Sequence, residues 1–319
     1  MCPDPAILCR RIPGLLGTAA ATLLLAVVGM PTPAAACSIC RCGDTTFNAL
    51  GRDGYAAAGW RLALDWERFD KDEGEAEEGQ ESQVENRTTA LVSYGFNDRF
   101  TLAARVPYSR RELTESEEGE SETTRTDGLS DPEIYAQLRL WASSFAGDLG
   151  RRASLTGTLG VKTPWGENDL EAGGERLDEH AQPGTGSTDV FGGLGFLYLL
   201  DARSALFASA SYRAMGENDR GYRYGDVASA SFAWEHKLGR RFDGVLALDA
   251  RSAGKDREDG VADGDTGGEL LYLSPRLLVD LGRGLVLRAG AQVPIADDLN
   301  GHQTERAVLN VGMTWVLAP

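Results

Sequence analysis

Three cysteines stand within six residues, Cys37, Cys40 and Cys42, in the order C-x-x-C-x-C. Thiols at this spacing can close a local disulfide, present thiolates to a soft metal such as Cu(I) or Zn(II), or, at Cys37, accept a lipid. Ala34-Ala35-Ala36 permits lipidation without favouring it, and Arg41 stands where a c-type haem site needs histidine. The three histidines, His180, His236 and His302, are scattered and add no ligand spacing. No nucleophile–base order, phosphate loop or paired-carboxylate signature marks an enzyme, and the acidic stretches lack the D-x-D-x-D-G spacing of a calcium loop. The expectation is a non-enzyme without a cofactor, its cysteines serving as a disulfide, a lipidation site at Cys37 or a soft-metal site.

The other residues able to do chemistry are thirteen charges at alternating places in extended stretches. The acidic ones are Asp65, Glu67, Glu133, Glu235, Asp249 and Asp280, and the basic ones are Arg105, Arg139, Lys162, Arg213, Arg251, Arg276 and Arg288. Each lies opposite an apolar row. In LVLRAGAQVP, Leu285, Leu287, Ala289, Ala291 and Val293 share one face of a strand, and Arg288, Gly290 and Gln292 share the other. Rows of this kind recur at 55–69, 87–96, 101–108, 133–141, 155–164, 189–200, 205–215, 222–238, 242–253, 269–281, 285–295 and 305–317. Short turns and long polar loops alternate between them. A soluble sandwich has no reason to sort its connections in that way, whereas a transmembrane barrel does. The fold expected is all-β, an antiparallel up-and-down transmembrane β-barrel of about 12 strands. Its lumen would be lined by the thirteen charges, and its long connections would be the extracellular loops 70–81, 112–127, 166–186, 216–221, 254–268 and 296–304. The tryptophans Trp60, Trp66, Trp141, Trp165, Trp234 and Trp315 sit where an interfacial belt would put them.

The front end fits export. Arg10 and Arg11 precede an apolar run ending in Pro-Thr-Pro and Ala34-Ala35-Ala36, the pattern of a cleaved signal peptide over 1–36. A Cys-containing periplasmic segment, 37–54, and the barrel, 55–319, would follow. The full chain carries −16; removing Asp4, Arg10 and Arg11, net +1, leaves −16 − 1 = −17, which excludes nucleic acid as a partner. A mean hydropathy of −0.27 matches a soluble protein, and also a barrel whose lumen and loops are polar.

Five short stretches occur in a recognisable order: Gly128-Leu129-Ser130-Asp131-Pro132, Gly160-Val161-Lys162-Thr163-Pro164-Trp165-Gly166, Gly184-Thr185-Gly186-Ser187-Thr188-Asp189, Tyr224-Gly225-Asp226 and Leu273-Ser274-Pro275. In these, over roughly 91–319, the chain resembles the outer-membrane transporter family named for the meta-pathway of phenol degradation. The resemblance implies an outer-membrane channel and speaks more for transport than for any one substrate. Physically, the prolines of these stretches suit strand ends, where a missing N–H is tolerated.

The function expected is a channel or transporter passing small polar or aromatic solutes across a bacterial outer membrane. Its partners would be outer-membrane lipid, the solute and the barrel-assembly machinery. The competing expectation is a barrel-anchored interaction or structural protein whose cysteine segment binds a metal or a periplasmic redox partner. A lumen of twelve strands is too narrow for a chain of haems.

Overall fold

The computed structural model describes residues 58–75, 79–117, 120–143 and 153–317. The expected signal peptide, 1–36, and the segment carrying Cys37, Cys40 and Cys42 lie outside these residues. The described residues form a closed antiparallel barrel of twelve strands. They are β1 (Gly59–Glu75), β2 (Gly79–Gly95), β3 (Phe100–Glu117), β4 in two pieces (Glu120–Leu129 and Glu133–Ala142), β5 (Ala153–Lys162) and β6 (Asp189–Leu199). The circuit continues with β7 (Ser204–Ala214), β8 (Val227–Lys237), β9 (Phe242–Ala253), β10 (Gly268–Gly282), β11 (Leu285–Leu299) and β12 (Val308–Leu317). Each strand pairs with its neighbours in sequence, and β12 closes on β1 from Trp60↔Leu317 to Arg68↔Leu309. Closure removes the unpaired sheet edge, which hydrocarbon would not tolerate.

Alternation decides which way each side chain points. Leu64, Leu138 and Leu287 are 41, 46 and 38 % exposed on the outer wall, while Glu133, Lys162 and Asp249 on the inner wall are at most 1 % exposed. So many large apolar side chains outside and charges inside invert a soluble fold and suit lipid. Trp60, Trp141, Trp234 and Trp315 are all exposed towards the end that carries the short turns. Trp141 points outward together with Leu140 because the ladder to β5 slips between Arg139 and Trp141.

The structure corrects the expected loops. The charged stretches 70–81 and 112–127 are largely strand: β1 pairs with β2 from Gly59↔Gly95 up to Glu75↔Gly79, and β3 pairs with the first piece of β4 up to Glu117↔Glu120. A strand rising clear of the bilayer meets water on its outer face and needs no apolar row, so its sequence loses the signal that marks the rest. Loop 254–268 holds two short strand pairs, one of them joining Tyr222–Arg223 to Arg257–Glu258. The connection 163–188 also departs from expectation: after an exposed hairpin at Gly173-Gly174 it turns inward, and residues 181–185 are buried.

Candidate functional site

Lys162 ends β5 on the inward row, beside β4 and β6. Its ammonium lies 3.2 Å from Asp131 and 2.9 Å from Asp189, and it donates to the Thr185 hydroxyl and, at 3.3 Å, to Ser187. Asp131 occupies the break between the two pieces of β4, where Pro132 has no N–H to offer the ladder. There its carboxylate accepts the Gly166 N–H at 2.9 Å and the Thr185 N–H at 2.8 Å. Three of the five recognised stretches thus meet at one buried cation. The glycines among them allow close approach: a Cβ on Gly184 would lie 2.9 Å from the Gly166 backbone, and one on Gly160 would lie 2.3 Å from the Phe191 ring.

From this node a second network runs along the inner wall. Asp189 faces Arg213 at 3.6 Å; Arg213 pairs with Glu133 at 2.8 Å, and Glu133 pairs with Arg105 at 2.9 Å. Arg213 also stacks over Phe191, 4.5 Å from the ring centre, and Phe191 packs with Tyr135 and Ala103. A cavity of about 20 Å³ beside Lys162, Asp131 and Thr185 is too small for any solute larger than water.

The inward part of 163–188 is held from both sides. Arg111 on β3 donates to the carbonyls of His180, at 2.6 Å, and Gln182, while its Nε pairs with Glu85 at 3.0 Å. Thr126 on β4 donates to the Ala181 carbonyl at 2.6 Å. Opposite, the Tyr224 hydroxyl donates to the Glu179 carbonyl at 3.0 Å, and Tyr222 bridges the His180 ring and Asp256 at 3.0 and 2.9 Å. The segment therefore crosses the interior from β2–β4 to the connection after β7. Burial pushes the Asp256 carboxyl above its ordinary range, and His180 beside it pulls the other way.

On the far wall Asp249, fully buried, accepts from Ser231 and Ser274 at 2.5 Å each and pairs with Arg276 at 3.2 Å. Asp65 pairs with Arg288 at 2.6 Å. The remaining charges picked from the sequence fall into three positions. Arg251 and Glu235 are buried inside; Glu67 is half-buried on the inward row of β1; Arg139, paired with Asp98, and Asp280, exposed and capping the Gly282 N–H, lie at the short-turn rim. Sequence reading missed Glu85, Arg111, Asp131 and Asp189 as members of the buried network. Glu85 and Arg111 sit two steps along the inward rows from Arg87 and Ser109, so alternation carried past the expected strand ends would have found them.

Among the described residues no group of His, Cys, Asp and Glu is arranged to hold a metal, and no helix is long and apolar enough to cross a membrane. A family model described as "Putative MetA-pathway of phenol degradation" matches residues 68–298. The fold is similar to that of an outer membrane channel from Pseudomonas putida F1 (TM-score 0.61, 13 % identity, 82 % of this chain and 96 % of that one). It is also similar to the translocator domain of the autotransporter NalP from Neisseria meningitidis (TM-score 0.51, 12 % identity, 82 % and 90 %). No curated protein matches the sequence.

Proposed function

The chain belongs to this phenol-degradation family, and on that premise we propose that it is an outer-membrane channel for small polar or aromatic solutes. The observation that carries the reading is the combination of a lipid-suited outer wall with a polar interior that one connection crosses. A purely structural barrel needs no such crossing segment, whereas a selective channel needs a constriction. In this reading the inward charges form the wall around the conduit, most of them neutralised by partners across the strands, with Arg139 and Asp280 at its short-turn rim. The buried stretch of 163–188 sets the bore, and the long connections face the outside. An export signal over 1–36, insertion by the barrel-assembly machinery and the absence of catalysis belong to the same proposal.

Single-channel recording on the refolded protein tests it. The wild type is expected to give small, discrete conductance steps, and a variant in which 170–181 are replaced by a short glycine linker is expected to give larger ones. A barrel that gives no steps in either form overturns the proposal in favour of a solid, partner-binding barrel.

A further inference from the structure

Between the charged network and the short-turn rim, two successive inward rungs of the barrel carry almost no bulk on β5 to β8, with longer side chains only at their β4 ends. The upper rung runs in register through Gln137, Thr158, Gly193, Ser211 and Ser229 on β4 to β8. The lower one runs through Arg139, Thr156, Gly195, Ser209 and Ser231. The rung above is closed by Tyr135, Phe191 and Arg213, all buried, and the rung below carries Leu197 and Phe207. The wall of β5 to β8 therefore has a recess two rungs high, with hydroxyls and glycines in it and rings or aliphatic groups above and below. Gly193, Ser209 and Ser211 are only half-buried although they point inward, so the recess opens on the lumen.

A second, independent observation points to an occupant. The hydroxyl oxygens of Thr156 and Thr158 are buried and make no hydrogen bond, and Thr156 as a whole is 5 % exposed. Buried hydroxyls without partners cost free energy, and native interiors rarely leave them so. Of the charges at the ends of the recess, Arg139 pairs with Asp98, and Asp249, next along the lower rung, is held by Ser231, Ser274 and Arg276; Arg251, next along the upper rung, is buried on β9. Between those ends the lining on β5 to β8 is threonine, glycine and serine alone, so it offers hydrogen bonds without charge, and a charged solute would shed its hydration against it for no opposite charge.

We infer that this recess is a binding station for a small, neutral, polyhydroxylated solute, whose hydroxyls pair with Thr156 and Thr158 as it passes. The inference rests on the channel reading and deepens it. Liposome swelling with the neutral pentitol arabitol and with its aldonate anion, run beside salt conductance on the same preparations, tests it. Arabitol is expected to enter faster than the aldonate. The double variant Thr156→Val/Thr158→Val should admit arabitol more slowly, by about fivefold for each hydroxyl lost, the weight of one neutral hydrogen bond, with salt conductance unchanged. The variant Thr156→Ser/Thr158→Ser, which keeps both hydroxyls, should restore the rate, and Ser209→Phe, which fills the recess, should lower it. Heat-modifiable migration on gels checks that each barrel is folded. Salt conductance with arabitol entry unchanged in the valine and phenylalanine variants overturns the station and leaves the channel standing. A wild type that conducts no salt overturns both.

Discussion

Lys162 serves two buried carboxylates at once, so its loss strands both. With the ammonium gone, Asp131 and Asp189 face each other in an interior where each is at most 4 % exposed. Lys162→Met is expected to cost about 3 to 5 kcal/mol, the usual penalty for breaking a buried ion pair from one side. Urea unfolding of the barrel in lipid vesicles measures it, and Asp131→Asn added to Lys162→Met should recover part of the loss. Asp256 offers a pH test. Its carboxyl titrates above the ordinary 3.8 because it is buried, so the folded state holds the proton more tightly than the unfolded chain does. The stability this group contributes is complete below the unfolded value and is lost as pH rises through the folded one. His180 and Asp263 face the same carboxyl with opposite signs. Asp256→Asn should therefore unfold at a higher temperature than wild type at neutral pH, and the gap should close on acidification; a gap that widens in acid would contradict this. That Lys162 points inward was legible from alternation alone. Its pairing with Asp131 and Asp189 was not, because residues distant in sequence meet only after the barrel closes.

At the scale of the element, strand phase was the most readable property. The apolar rows predicted the outer wall through Leu64, Leu138 and Leu287, since a one-residue slip would have put every one of them inside. What the rows did not reveal is depth of packing within the lumen. Gly160 lies where a Cβ would sit 2.3 Å from Phe191 and 2.6 Å from Tyr135. Gly160→Ala is therefore expected to destabilise the barrel by about 1 to 3 kcal/mol, as overpacking does, while Gly239→Ala, where a Cβ meets nothing within 4 Å, should change little. Thermal unfolding followed by circular dichroism separates the two. The inward course of 163–188 left no apolar trace in the sequence. It is held chiefly by Arg111 and Thr126 donating to backbone carbonyls, and every residue type has a carbonyl.

Across the whole molecule, charge is divided unevenly. Adding Glu85, Asp131 and Asp189 against Arg87 and Arg111 leaves the interior balanced, whereas the tall strands bring an acidic excess to the far end: Asp70, Asp72 and Glu112 each meet an arginine there, Arg68, Arg306 and Arg125, and Glu115 and Glu122 stand beside them. Their field reaches about 8 Å at physiological salt and about 3 Å at 1 M. A weak cation preference is expected at low salt. It should fade at 1 M, and also when Asp70, Asp72 and Glu73 are neutralised; reversal potentials across a salt gradient read it, and firm anion preference would contradict it. The tall strands have one more consequence. By composition, the stretch around Glu81 and Glu115 would be picked as soft, linear surface, yet β2 is laddered on both sides there, to β1 and to β3. A protease needs a single extended strand free to enter its cleft, and an antibody raised on a short peptide needs a chain free to bend. On intact cells this rampart should resist the first and escape the second, so that sera raised against the folded barrel would bind where sera raised against its peptides would not.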